Sequence, residues 1–157
     1  MNGRVLIIAG SDSGGGAGIQ ADIKTVTALG GFAMTAITAL TAQNTTGVQG
    51  IHEVPADFVS QQMHSVIDDL GVDAIKIGML HRPEIIEVVA NVLADKLPGV
   101  PVILDPVMIA TSGARLIEDS AAEALSERLL PHADLLTPNA PEAAALSGQL
   151  VETIEDA

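Results

Sequence analysis

The chain has no cysteine, no tryptophan and no tyrosine, and only 2 phenylalanines among its 157 residues. Without a thiol there can be no disulfide, no thiolate nucleophile and no cysteine-held zinc, and the lack of any bridge is compatible with a reducing compartment. Without aromatic bulk the core has to be built from Ala, Val, Ile and Leu, within a hydrophobic content of 48%. That mixture suits parallel strands covered by helices. Basic residues are scarce as well: 7 Lys and Arg against 20 Asp and Glu leave a formal charge of −13. Such acidity argues against nucleic acid and anionic membrane as partners, but it leaves room for one local anion pocket. No transmembrane segment is present, and the first apolar run, Val5 to Ala9, is too short for a secretory signal. The length suits one domain, and the expected location is the cytoplasm.

Glycine, by contrast, is concentrated: Gly10, Gly14, Gly15, Gly16 and Gly18 fall within nine residues, between the Val5 to Ala9 run and a stretch in which Ile19, Ile23, Val26 and Gly30 recur at helical spacing. The pattern predicts strand, loop and helix. In a doubly wound sheet the carboxyl end of a strand is where ligands bind, and glycine lets backbone N–H groups approach them. Two phosphate motifs fail here. A Walker A loop closes on Gly-Lys-Ser/Thr, whereas Gly18 is followed by Ile19 and Gln20, and the nearest lysine is Lys24. A dinucleotide fingerprint forced onto Gly16, Gly18 and Ala21 lacks its ribose-binding acid, because no carboxylate lies between Asp22 and Glu53.

Downstream, Phe32 to Ala42 is ambiguous, with Thr35, Thr38 and Thr41 at helical spacing but a β-branched content that favours strand. Val48 to Val54, Ala74 to Met79, Val100 to Leu104 and Leu135-Leu136 read as strands. Helices are expected around Val59, Met63, Val66 and Leu70, around Ile86, Val89, Leu93 and Leu97, around Ala121, Leu125 and Leu129, and after Thr137-Pro138-Asn139. Strand alternating with helix predicts an α/β fold, a mostly parallel sheet with helices on both faces.

Asp12, Gln43, Asp105, Asn139 and Glu142 fall at predicted strand ends and converge on one edge of such a sheet. Asp105 follows Val102-Ile103-Leu104 and precedes Pro106, so its carboxylate emerges at a strand's end, to act on a ligand or to cap the loop. Asn139 and Glu142, three apart on a first helical turn, suit either a hard cation held with phosphates or an ordinary capping box. Asp22 sits on the flank of the first helix's apolar stripe. Lys76, between Ile75 and Ile77, either pairs with a carboxylate or points to the ligand edge. His52, His64, His81 and His132 have no metal spacing and are expected at the surface.

Taken in order, Ala9-Gly10-Ser11-Asp12-Ser13, Gly15-Gly16-Ala17-Gly18-Ile19-Gln20-Ala21-Asp22, Thr38-Ala39-Leu40-Thr41-Ala42-Gln43-Asn44-Thr45, Lys76-Ile77-Gly78-Met79-Leu80, Asp105-Pro106-Val107-Met108 with Ser112-Gly113, and Thr137-Pro138-Asn139-Ala140-Pro141-Glu142-Ala143 cover nearly the whole chain. This set resembles the hydroxymethylpyrimidine and phosphomethylpyrimidine kinases of thiamine synthesis, members of the ribokinase-like superfamily. The resemblance implies a three-layer αβα domain over residues 1–157 that lacks the family's C-terminal part, and it places Phe32 to Ala42 as a strand. It implies a pyrimidine pocket lined by Gly10, Asp22, Gln43, Met79 and Val107, in which the Gln43 amide, a donor and an acceptor, meets the ring nitrogen and amino group. It implies ATP and Mg²⁺ as cofactors, with Asp105, Asn139 and Glu142 organising the nucleotide phosphates and Asp105 and Glu142 the metal. The catalytic base and the second glycine loop are expected in the missing part, so this chain alone is expected to be inactive. Ala114 stands where many relatives carry an acid. A small-molecule aminopyrimidine is the implied partner, in a homodimer; the alternatives are a pyridoxine or pyridoxal kinase and a non-catalytic aminopyrimidine-binding fragment.

Overall fold

Short apolar runs and amphipathic stretches alternate along the chain, and a computed structural model, describing residues 3–108, 117, 119–151, 153 and 156, turns them into layers. Strands β1 (Arg4–Asp12), β2 (Phe32–Asn44), β3 (Gly47–Glu53), β4 (Ala74–Ile77), β5 (Val102–Leu104) and β6 (Leu135–Leu136) form one six-stranded sheet in the order β3-β2-β1-β4-β5-β6. Between them run helices α1 (Gly18–Ala28), α2 (Ala56–Leu70), α3 (Pro83–Lys96), α4 (Asp119–Ala124) and, last, α5 (Ala140–Ser147). Helix α4 continues into a π-helical turn over Leu125–Leu129 and a 3-10 turn over Leu130–His132.

Neighbouring strands are parallel except β2 and β3. Only Thr45 and Thr46 separate that pair, too few residues for a crossover helix, so the chain turns back on itself as a hairpin. The ambiguous stretch is therefore the longest strand. Met34, Ala36 and Thr38 are buried in alternation, and Thr35, Thr38 and Thr41 do not share a face. Their helical spacing was incidental.

Alternation also divides β1 between two cores. Ile7 and Ala9 pack on Ile19 of α1, while Leu6 and Ile8 join Ile75, Ile77, Val102 and Leu104 against α2, α3 and the α4 turn, through Val59, Met63, Ile86, Val89 and Leu125. The result is the expected αβα sandwich, its core aliphatic; both phenylalanines, Phe32 and Phe58, are exposed. The same alternation puts Lys76, paired in register with Ile7, on the α1 face. No helix of the described residues is long and apolar enough to cross a membrane.

Candidate functional site

From β1 the chain moves to β2 on one side and, after the hairpin and α2, returns to β4 on the other. Sheet order thus reverses at β1, and such a switch point opens a crevice at the strands' carboxyl ends. A cavity of about 310 Å³ lies there. Its walls come from the end of β1 (Ala9 to Asp12), the start of α1 (Ala17, Gly18), the hairpin (Thr41, Gln43, Val48), the end of β4 (Lys76, Gly78, Met79) and the segment after β5 (Asp105, Val107). Of the five residues expected around a pyrimidine, Gly10, Gln43, Met79 and Val107 line this cavity, and Asp22 stands one contact behind it. Ser112, Gly113 and Ala114 lie outside the described residues.

The glycine loop is organised from within. Asp12, only 6% exposed, accepts hydrogen bonds from the N–H groups of Gly14 (2.7 Å) on one carboxylate oxygen and of Gly16 (2.9 Å) and Ala17 (2.8 Å) on the other. Burial alone would raise its pKa, but these bonds outweigh burial and hold the carboxyl below its usual range. Amides of the kind that cradle a phosphate in a P-loop are here engaged by a side chain. Asp12 lines the cavity, as its strand-end position predicts, and its carboxylate also builds the loop. Gln20 fastens the same loop, accepting from Asp12 N–H (2.8 Å) and donating to Ser11 Oγ (2.7 Å), and Lys24 Nζ donates to Gly15 O (2.7 Å).

Gln43 is held at both ends of its residue. Ser13 Oγ accepts from Gln43 N–H (2.7 Å) and donates to Gln43 O (2.8 Å), and Thr41 Oγ1 lies 3.2 Å from Gln43 Oε1 and 2.9 Å from Ser11 O. Buried Thr38 donates through Oγ1 to Met79 O (2.8 Å). A Cβ at Gly10 would stand 2.9 Å from the Met79 methyl, so the bare glycine makes room for that side chain. Val107 has a φ of +20°, an uncommon conformation for a β-branched residue, at the point where the chain leaves Asp105-Pro106.

Lys76 satisfies both expectations at once. It lines the cavity, and its Nζ lies 3.0 Å from Asp22 Oδ2 and 3.6 Å from Asp105 Oδ2, with all three side chains a fifth to a third exposed. For Asp105, burial raises the pKa, Lys76 opposes the rise, and Glu142 adds to it, leaving a net upward shift. Replacing Lys76 by Met keeps the stem but leaves two carboxylates facing each other. Lys76→Met is expected to lower unfolding free energy by about 1 kcal/mol in denaturant titration, a partly exposed cluster giving less than a buried one.

Asn139 and Glu142 form a reciprocal capping box on α5: Glu142 N–H donates to Asn139 Oδ1, and Asn139 N–H donates to Glu142 Oε2, both at 2.9 Å. Glu142 is 3% exposed and its Oε1 accepts from Met108 N–H (2.9 Å), which ties α5 to the segment after β5. Among the described residues no three His, Cys, Asp or Glu side chains gather as a metal cluster. His81 is partly exposed, at 28% of its side chain. Its φ is +70°, its Nδ1 is buried with no hydrogen-bond partner among the described residues, and its Nε2 lies 3.6 Å from Glu53 Oε1.

The family described as phosphomethylpyrimidine kinase matches residues 12–157. The chain belongs to that family. The hydroxymethylpyrimidine/phosphomethylpyrimidine kinase of Haemophilus influenzae is 57% identical over 145 residues, covering 92% of this chain and 54% of that protein. The crystal structure of a phosphomethylpyrimidine kinase from Clostridium difficile superimposes with a TM-score of 0.92 at 43% identity, over 98% of this chain and 66% of that one. A Staphylococcus aureus pyridoxal kinase in complex with pyridoxal gives a TM-score of 0.84 at 37% identity, over 98% and 55%. The chain thus spans about half the length of the curated relatives it matches.

Three groups around the cavity were not singled out from the sequence. Thr41 is two residues before Gln43 on one strand, so alternation alone would have put both on one face had the strand been certain. Val48 reaches the cavity only through the hairpin register, in which it pairs with Gln43. Ser13's clamp on Gln43 joins residues 30 apart and leaves no local signal.

Proposed function

We propose that this chain supplies the pyrimidine pocket and part of the phosphate site of an ATP-dependent phosphotransferase of thiamine synthesis. Its substrate is 4-amino-5-hydroxymethyl-2-methylpyrimidine and then the monophosphate of that alcohol. In the first step the hydroxymethyl oxygen attacks the γ-phosphorus, the bond to the β,γ-bridging oxygen breaks, ADP leaves, and the hydroxyl proton passes to a base. We assign no residue of this chain to that base. The observation that carries the reading is the meeting of Gln43, Met79, Val107 and Asp105 on one cavity at the sheet's switch point.

Phosphoryl transfer depends on alignment and charge neutralisation. Gln43 aligns the heterocycle through its amide, and Gly10 and Met79 shape the apolar wall against which a ring lies flat. Lys76 brings a positive charge to the cavity, balanced by Asp22 and Asp105. The donor set suits Mg²⁺, which is ordinarily held by one or two carboxylates with waters and phosphate oxygens. Asp105, about a third exposed at the strand end, would hold it, while Glu142, engaged with backbone N–H groups, would shape the site beside it. When bound, Mg²⁺ neutralises charge on the phosphates. Asn139 would position the nucleotide phosphates by fixing the first turn of α5. A homodimer in the cytoplasm completes the reading, by resemblance to the family.

The test is a melting curve of this chain with each candidate. At 100 times its Kd, 4-amino-5-hydroxymethyl-2-methylpyrimidine should stabilise the fold by about 2.7 kcal/mol, raising Tm by about 5–10 °C. Pyridoxal at the same concentration should do less. The S. aureus structure favours pyridoxal as the second reading, and a larger shift with pyridoxal would install it. With Mg·ATP added, this chain alone is expected to bind the alcohol without turning it over; an ATP-dependent product would refute that part of the proposal.

A further inference from the structure

The parallel pairing of β1 with β2 ends at Asp12 and Thr41, where β1 gives way to the glycine loop. Gln43 stands two residues further along β2, past the last residue of β1. On its other side the hairpin ladder shifts register between Ala42 and Gln43. Regular pairing with a neighbouring strand therefore does not fix this residue, yet Gln43 lines the cavity. Ser13 supplies what the strands do not. Its single hydroxyl proton goes to Gln43 O (2.8 Å), and a lone pair of the same oxygen accepts Gln43 N–H (2.7 Å), so one side chain satisfies both main-chain groups as a paired strand would. Gly14 lies against the same point: a Cβ there would stand 3.3 Å from Gln43 O and 3.5 Å from Asn44 Cα. The loop that presses on the hairpin is itself set by Asp12, which accepts Gly14 N–H at 2.7 Å.

We infer that Ser13 is a positioning residue of the pyrimidine pocket: its clamp on the Gln43 main chain presets the Gln43 side chain, and through it the glycine loop governs affinity for the ligand. The inference rests on the aminopyrimidine reading of the pocket. Ser13 and Gly14 are not part of the cavity's lining, so their effect has to pass through a residue that is. Among the described residues the Ser13 hydroxyl bonds Gln43 alone. A side chain already held where the ligand needs it loses less freedom on binding, and the difference appears as affinity. The clamp fixes main-chain position, so it acts whichever end of the Gln43 amide meets the ring nitrogen.

Ser13→Ala removes the hydroxyl and leaves the N–H bonds of Gly14, Gly16 and Ala17 to Asp12 in place. Calorimetric titration of this chain with 4-amino-5-hydroxymethyl-2-methylpyrimidine should give a Kd about five- to tenfold weaker in Ser13→Ala. Ser13→Thr, which keeps the hydroxyl, should bind as the wild type does. The deciding measurement is the same substitution in a Gln43→Ala background, where no amide remains to be positioned; there Ser13→Ala should change Kd by less than about twofold. A merely structural role would weaken binding equally in both backgrounds. If Gln43→Ala binds too weakly to titrate, the cycle is closed on the ligand: with 5-hydroxymethyl-2-methylpyrimidine, which lacks the amino group, the loss in Ser13→Ala should shrink. Melting curves of the free variants establish that they are folded; if Ser13→Ala is not, Ser13→Cys takes its place. An unchanged Kd in the folded variant, or an equal loss in both arms of the cycle, overturns the assignment of Ser13 and leaves the aminopyrimidine reading standing. A wild-type chain that does not bind the amino compound overturns that reading, and the assignment with it.

Discussion

Gly18→Ala is expected to destabilise this chain by about 3 kcal/mol or more, the range of strained or overpacked sites. Gly18 opens α1 with a φ of +55°, and a Cβ built there would lie 2.3 Å from the carbonyl oxygen of Gly10. The oxygen is a backbone atom and the position of a Cβ is fixed by its own backbone, so neither can swing aside. Relief would require α1 to lift from β1, opening the core that Ile19 makes with Ile7 and Ala9. Gly99 separates the two parts of the effect. Its φ is +79°, and a Cβ there would meet nothing within 4 Å. Gly99→Ala therefore reports the backbone term alone, about 1 kcal/mol. Denaturant titrations of the two variants should differ by at least 2 kcal/mol. Equal losses would mean that the close approach of α1 to β1 contributes nothing.

The glycine loop shows what a sequence can and cannot reveal about such a site. Its position at a strand's carboxyl end, ahead of a helix, was legible from the change of periodicity at Gly10 to Ile19 alone. So was its unsuitability as a P-loop. Its internal chemistry was not, because the N–H groups of Gly14, Gly16 and Ala17 are satisfied by Asp12, a residue read as facing a ligand. Composition cannot distinguish a carboxylate that accepts from its own loop from one that projects outward. Lys76 illustrates the same limit: its place in a buried strand was visible, but its position between Asp22 and Asp105 depends on how α1 and β5 lie beside β4. For Asn139 and Glu142 the spacing allowed a capping box or a cation site, and the box is formed. The strand at Phe32 to Ala42 came from resemblance, since its threonine spacing and its β-branched content pointed opposite ways.

Asp12→Asn provides the second large effect, and its pH dependence identifies the cause. Each carboxylate oxygen of Asp12 accepts a backbone N–H, so whichever end the amide NH₂ of asparagine occupies, it faces a donor with another donor. Tm should fall by about 5–10 °C, and Asp12→Ala should do no better. The folded-state pKa is lowered, so the carboxylate's contribution is complete above the ordinary value of 3.8 and is lost as pH falls below it. Asp73 shares this acid limb. Arg4 holds its pKa down to about 2, first through a side-chain hydrogen bond, and its contribution likewise disappears between about 4 and 2. Salt tells the two apart. The Arg4–Asp73 ion pair is more than 40% exposed on both sides and is screened, whereas Asp12's partners are uncharged N–H groups inside a loop. In 0.5 M salt, roughly a 4 Å screening length, the effect of Asp73→Asn should shrink and that of Asp12→Asn should persist. If salt removes the Asp12→Asn effect as well, long-range charge organises the glycine loop, and the hydrogen bonds from Gly14, Gly16 and Ala17 do not.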